Sequence, residues 1–195
     1  MARRRDVRID GAVVVAVREL LTEVGYGQLT MELVARRAST SKPALRRRWP
    51  SLRHIVIDAM ADARAGVVEP DRGCVVCDLT EHLDALSAAM DDAAMGRVLP
   101  ALVADLADDP ELRDEFLTRF WAPRRAACLT TIQKATDRGQ LRASLDPELI
   151  IDALAGPLLM RHLFGHARDD RDTRRHLLHI LLTGLAPEGV RHDCR

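Results

Sequence analysis

Residues 20–51 read LLTEVGYGQLTMELVARRASTSKPALRRRWPS, and the fold turns on how this stretch is punctuated. Upstream of it, Ile9, Val13, Ala16, Val17, Leu20, Leu21 and Val24 recur at threes and fours, which predicts a helix with one buried stripe. Gly25 and Gly27 supply the left-handed stop such a helix needs. Thr30 is an N-cap for a short second helix, with Glu32 in its first turn and Leu33, Val34 and Ala38 apolar. Ser39-Thr40-Ser41 then breaks the chain. Ser41 caps a third helix, whose first turn tolerates Pro43. Leu45 and Trp49, four apart, are expected to face inward, which puts Lys42, Pro43, Arg46 and Arg47 on the opposite side. Pro50-Ser51 stops that helix and caps a fourth, with Leu52, Ile55, Val56, Ala59, Met60 and Ala63 apolar.

Further along, Gly66 to Gly73, with Pro70 and Asp71, reads as a linker. Longer amphipathic segments follow near 76–92 and 95–107, the second with a kink expected at Pro100. Asp109-Pro110-Glu111 opens a helix running to about Gly139, and Asp146-Pro147-Glu148 opens another reaching about Gly165; each is an N-cap followed by Pro at the first helical position. A last helix is expected near 171–185. The sequence has no strand-like alternation, repeat or low-complexity tract, so the expected class is all-α with about nine helices. The boundaries expected from this reading are residues 1–54 for a first domain and 55–195 for a second.

Composition narrows the function. Of 195 residues, 47% are hydrophobic and 30% charged, a globular balance that argues against disorder. No apolar run approaches the roughly 20 residues that span a bilayer, and Arg18 and Glu19 interrupt the only early apolar patch, so the chain is read as cytoplasmic with no membrane partner. The net charge of zero hides an asymmetry. Residues 1–54 carry 12 basic against 5 acidic side chains (+7), and residues 55–195 carry 17 against 24 (−7). A basic head on an acidic body points to a polyanion at the head alone.

The stretch from Ile9 to Met60 resembles the DNA-binding domain of the TetR family of bacterial regulators, through LLTEVGYGQLTMELVARRA and then STSKPALRRRWPS. DPELRDEFLTRFWAPRRAA, RGQLRASLDPELIIDALAGPLLMRHL and LLTGLAP are similar to one C-terminal domain class of the same family. The resemblance implies a sequence-specific repressor that binds a near-palindromic double-stranded DNA operator as a homodimer and is released by a small-molecule effector. It requires no cofactor and implies no catalysis. On that basis Lys42, Pro43 and Arg47 fall where the family touches bases and Thr30 where it touches phosphate. Ser41, Arg46, Arg48 and Arg53 complete the candidate DNA-binding set. Two departures stand out. Arg46 occupies the place of a phosphate-binding Tyr and Leu52 that of a Lys, so Arg46, Arg48 and Arg53 are expected to restore those contacts by charge. Arg3, Arg4 and Arg5 form either a basic arm toward DNA or a solubilising end.

Half of the six aromatic residues fall within 116–121. Phe116, Phe120 and Trp121, with Met90, Met95, Met160 and Phe164, are therefore candidates for an effector pocket, against the plainer alternative of ordinary core. A dimer face is expected from Leu149, Ile150, Ala153, Leu154, Pro157, Leu158 and Arg161, and from Leu177, Ile180, Leu181 and Gly184. The competing reading is a small all-α enzyme or metal-binding protein using His162/His166 and His176/His179, pairs spaced to share a metal. Neither pair has a carboxylate or thiol in the same turn. Cys74-Val75-Val76-Cys77 is half of a zinc site or a redox pair, with Cys128 and Cys194 lone, and inert thiols are the favoured reading. Ser39-Thr40-Ser41-Lys42 has the spacing of a serine–lysine catalytic motif, but helix capping already accounts for those residues.

Overall fold

Helix-forming periodicity runs through almost the whole chain, and the computed structural model, which describes residues 7–62 and 67–183, is helical accordingly. Arg3, Arg4, Arg5, Ala63, Gly184 and Cys194 lie outside the described residues, as does the side chain of Met95. The helices are α1 (Val7–Glu23), α2 (Met31–Arg37), α3 (Lys42–Arg46), α4 (Leu52–Asp62), α5 (Val75–Asp91), α6 (Met95–Asp108), α7 (Pro110–Phe116), α8 (Ala122–Asp137), α9 (Pro147–Phe164) and α10 (Arg171–Thr183). A π-helical turn, Leu117–Trp121, joins α7 to α8 in one rod. Among the described residues there are thus nine helices, no strand, and no helix long and apolar enough to cross a membrane.

The N-terminal core forms as the stripe requires. Val13, Val14, Ala16, Val17, Leu20 and Leu21 of α1 are buried against Val34 and Ala35 of α2, Leu45 and Trp49 around α3, and Ile55 to Met60 along α4. The stop after α1 needs Gly25, whose φ of +76° is strained for any side chain. Between α2 and α3 the left-handed position falls on Ser39 (φ +49°) rather than on glycine. There the Thr40 N–H bonds the Ala35 carbonyl at 2.9 Å, which satisfies the end of α2.

This core does not end with α4. It continues through Ala89, Ala94, Val98, Leu102 and Leu106 to Leu112, Phe116 and Phe120, so the head is fused to α6 and α7. A second core lies between α5, α8, α9 and α10 around Leu79, Leu83, Cys128, Ile132, Leu154, Leu158 and Leu178. The turn from α5 into α6 brings Gly96 so close that an added Cβ would stand 1.8 Å from the Met90 carbonyl oxygen. His162 of α9 seals this corner by hydrogen-bonding the Gly96 carbonyl through Nε2 at 2.8 Å. Pro123 explains the π turn: with no N–H it cannot continue the i→i−4 ladder. The Ala122 N–H instead reaches back five residues to Leu117.

Candidate nucleic-acid interface

The third helix is short because its capping chemistry is dense. Ser41 accepts the Ala44 N–H at 3.3 Å, and Pro43 sits in the first turn, where its missing N–H costs nothing. Leu45 (0% exposed) and Trp49 (2%) anchor α3 to the core. Lys42, Pro43, Arg46 and Arg47 are all exposed on its outer side, and Ser41 is exposed beside them. Thr30, also exposed, caps α2 by accepting the Leu33 N–H at 3.2 Å. α2, the turn and α3 therefore make a helix-turn-helix with a cationic outer face. Among the described residues, Lys42, Arg46 and Arg47 pair with no carboxylate.

Two members of the expected DNA-contact set are paired with acids. Arg48 turns back to Asp10 of α1 at 3.0 Å, with its side chain only 16% exposed. Arg53 pairs with Asp105 of α6 at 2.8 Å. Tyr26 donates its hydroxyl to the same Asp105 at 2.5 Å; burial and that carboxylate raise the phenol's pKa above its ordinary value. Arg48 thus braces the head from inside, whereas Arg53, half in solvent, is tied to α6 from the surface.

A polar chain unforeseen in the sequence ties α3 to the body. The Trp49 indole N–H donates to the buried Asp58 carboxylate at 2.6 Å. Asp58 is also paired with Arg119 of the π turn, which in turn reaches Glu115 at 3.1 Å. Beside them Ser51 and His54 share a hydrogen bond at 2.8 Å, and His54 stands 3.4 Å from Glu115. Asp58 occupies an inward position of α4, and an acid among core residues was the available signal.

The expected effector-pocket residues do not converge. Phe116 and Phe120 stack on each other, centroids 4.9 Å apart, inside the N-terminal core. Met90 belongs to the second core, and Met160 (57% exposed) and Phe164 (72%) lie on the surface of α9. Trp121 alone of the set lines a small chamber of about 60 Å³ between α5, α8 and α9, with Leu83, Leu86, Ile151 and Leu154 and with Arg124 and Arg125 beside it. Arg124 covers the Phe120 ring at 3.7 Å, and burial lowers its pKa to about 10. Of the expected dimer stripe, Leu154 and Leu158 are core residues, whereas Leu149, Ile180 and Leu181 are exposed. His176, His179 and His166 are exposed and His162 is engaged with Gly96. No three His, Cys, Asp or Glu side chains come together as metal ligands among the described residues.

Known proteins share this plan along most of the chain. Residues 13–59 match the model of the bacterial regulatory proteins of the tetR family, and residues 69–181 match that of a tetracyclin repressor-like C-terminal domain. The chain is 31% identical over 162 residues to an HTH-type transcriptional regulator of Bacillus subtilis, YdeS, covering 83% of this chain and 81% of that one. It is 25% identical over 189 residues to the DNA-binding transcriptional repressor TetR of Mycobacteroides abscessus, covering 96% and 98%. The crystal structure of the TetR family transcription regulator SCO0332 superposes with a TM-score of 0.79 at 30% identity, covering 92% of this chain and all of that one. With its helix-turn-helix, its cationic third helix and its second helical unit in place, the chain belongs to the TetR family of bacterial transcriptional regulators.

Proposed function

We propose that this regulator is a homodimeric repressor that reads a near-palindromic operator with α3 and leaves it when a small apolar molecule enters the second core beside Trp121. The outer face of α3 carries the reading, because it holds three cations that no acid among the described residues neutralises. A helix of this kind fits the major groove, where Lys42 and Arg47 reach base edges and Pro43 packs on a thymine methyl. Arg46 and Thr30 hold phosphates. Two such helices demand half-sites about one helical turn apart, roughly 34–36 Å or a small multiple of it. For the dimer, α9 and α10 offer the exposed apolar side chains of Leu149, Met160, Phe164, Ile180 and Leu181.

The chamber beside Trp121 is smaller than a ligand, since sites for small molecules run to about 300–1,000 Å³. An effector therefore has to select an opened state. Opening moves Trp121 and with it the π turn, whose Arg119 grips Asp58 and through it Trp49 at the end of α3. Asp58→Asn is expected to keep effector binding and lose most of its effect on DNA, a coupling of about 1–3 kcal/mol. The test selects bound duplexes from random oligonucleotides and then screens for compounds that release them. Sequence-selective binding by a dimer supports the reading. A monomer in light scattering at micromolar concentration, or binding without sequence preference, contradicts it.

A further inference from the structure

The CxxC at residues 74–77 stands at the start of α5, away from the α3 face, and its geometry is that of a working pair. Cys74 is the N-cap of this 17-residue helix, and its sulfur accepts the Cys77 N–H at 3.4 Å. Cys77 is exposed and Cys74 half-exposed, so small reagents reach both. A separation of three residues across a first helical turn sets the two Cα atoms about 5–6 Å apart, within the range a disulfide spans. The frame around them is fixed: Gln140 bonds the Gly73 carbonyl at 2.9 Å, and Asp71 is held by Lys134 at 2.7 Å. Asp78 accepts the Arg72 N–H at 2.9 Å.

We propose that Cys74 and Cys77 form a thiol–disulfide exchange site whose substrates are low-molecular-weight disulfides, with Cys74 attacking and Cys77 resolving. The Cys74 thiolate attacks one sulfur of the disulfide, whose S–S bond breaks; one small thiolate leaves with the electron pair and takes up a proton. Cys77 then loses its proton and attacks the Cys74 sulfur of the mixed disulfide, releasing the second small thiolate, which is protonated in turn. The protein dithiol is oxidised by two electrons and the small disulfide is reduced to two thiols. The order follows from the surroundings. Hydrogen bonds from the Cys77 thiol and from the Cys77 and Val76 N–H groups lower the Cys74 pKa, against an opposing effect of Asp78. The Cys77 thiol is raised, by its bond to Cys74 first, with Arg72 acting the other way. Cys128 is sealed in the second core, where burial raises its pKa to about 11.

This site stands independently of the proposed operator and effector, and its test needs neither. Full-length Cys194→Ser protein is incubated with glutathione disulfide, quenched with acid, digested and mapped by mass spectrometry. The expected product has lost two hydrogens and carries the disulfide between Cys74 and Cys77. In the same background Cys77→Ser is expected to stop at a glutathione adduct on Cys74. Cys74→Ser keeps a good N-cap and so keeps the fold, and its adduct on Cys77 should form at least about tenfold more slowly. Circular dichroism checks that each variant is helical. Failure of the pair to close, or faster reaction at Cys77 than at Cys74, overturns the proposal.

Discussion

The two units of this molecule differ in where their unmatched arginines stand. In the body six of the thirteen described arginines pair with acids: Arg72 with Glu81, Arg119 with Asp58 and Glu115, Arg125 with Glu148, Arg138 with Asp71 and Asp78, Arg174 with Asp84 and Asp169, and Arg175 with Asp172. Arg97 of α6, Arg113 of α7 and Arg142 stand exposed on separate elements. In the head Arg37 is locked to Glu19 and Glu23, and Arg48 and Arg53 are paired as well. Along α3, Lys42, Arg46 and Arg47 stand together on one outer face with no acid opposite among the described residues. Net charge therefore overstates the DNA-facing surface of the head, because part of the +7 is structural. What remains is a patch of a few residues with a defined helix beneath it, and a patch of that kind serves recognition better than a diffuse cloud of charge.

The comparison can be broken first at α3. Arg47→Ala is expected to cost about 1–3 kcal/mol per base contact, doubled in a dimer, on the selected operator while leaving scrambled duplex nearly unchanged; anisotropy titrations on both duplexes check it. Next comes Arg48→Ala, which deletes the largely buried ion pair with Asp10 and should cost about 1–3 kcal/mol of folding stability. Thermal unfolding reads that loss, and the folded fraction should keep its sequence preference. Arg53→Ala is expected to do less, at most about 1 kcal/mol, because half of its side chain is in solvent and Tyr26 still bonds Asp105. At the bottom of the scale, Arg175→Ala on the outer side of α10 should leave both unfolding and DNA binding unmoved. A large effect there would mean that solvent-exposed pairs of the body carry more stability than their exposure allows.

How much of this was legible depends on whether a residue's role is local. Caps, stops and stripes are decided within a turn or two, so Thr30, Ser41 and Asp109 could be read as caps, Gly25 as a stop, and Leu45 with Trp49 as the inward side of α3. Arg46, Arg47 and Arg48 are consecutive and chemically identical, yet the third turns back to Asp10, some forty residues earlier. Nothing in the run itself announces that. The same holds for Arg53 with Asp105, and for Asp58 between Trp49 and Arg119. The aromatic cluster failed for a related reason. Consecutive residues of a helix point about 100° apart, so Phe120 enters the N-terminal core while Trp121 packs against the other. Closeness in sequence suggested one pocket, and the helical turn between neighbours gives them two.

The outer face of α3 is the part of the head proposed to meet DNA. The most direct test of that proposal is the salt dependence of binding to scrambled duplex for the native protein, for Lys42→Ala/Arg46→Ala/Arg47→Ala, and for Arg48→Ala/Arg53→Ala. The slope of log affinity against log salt should flatten by about 0.9 for each phosphate contact removed in the first variant and stay at the native value in the second. An unchanged slope in the first, or an equal loss in a fully folded second, would contradict it.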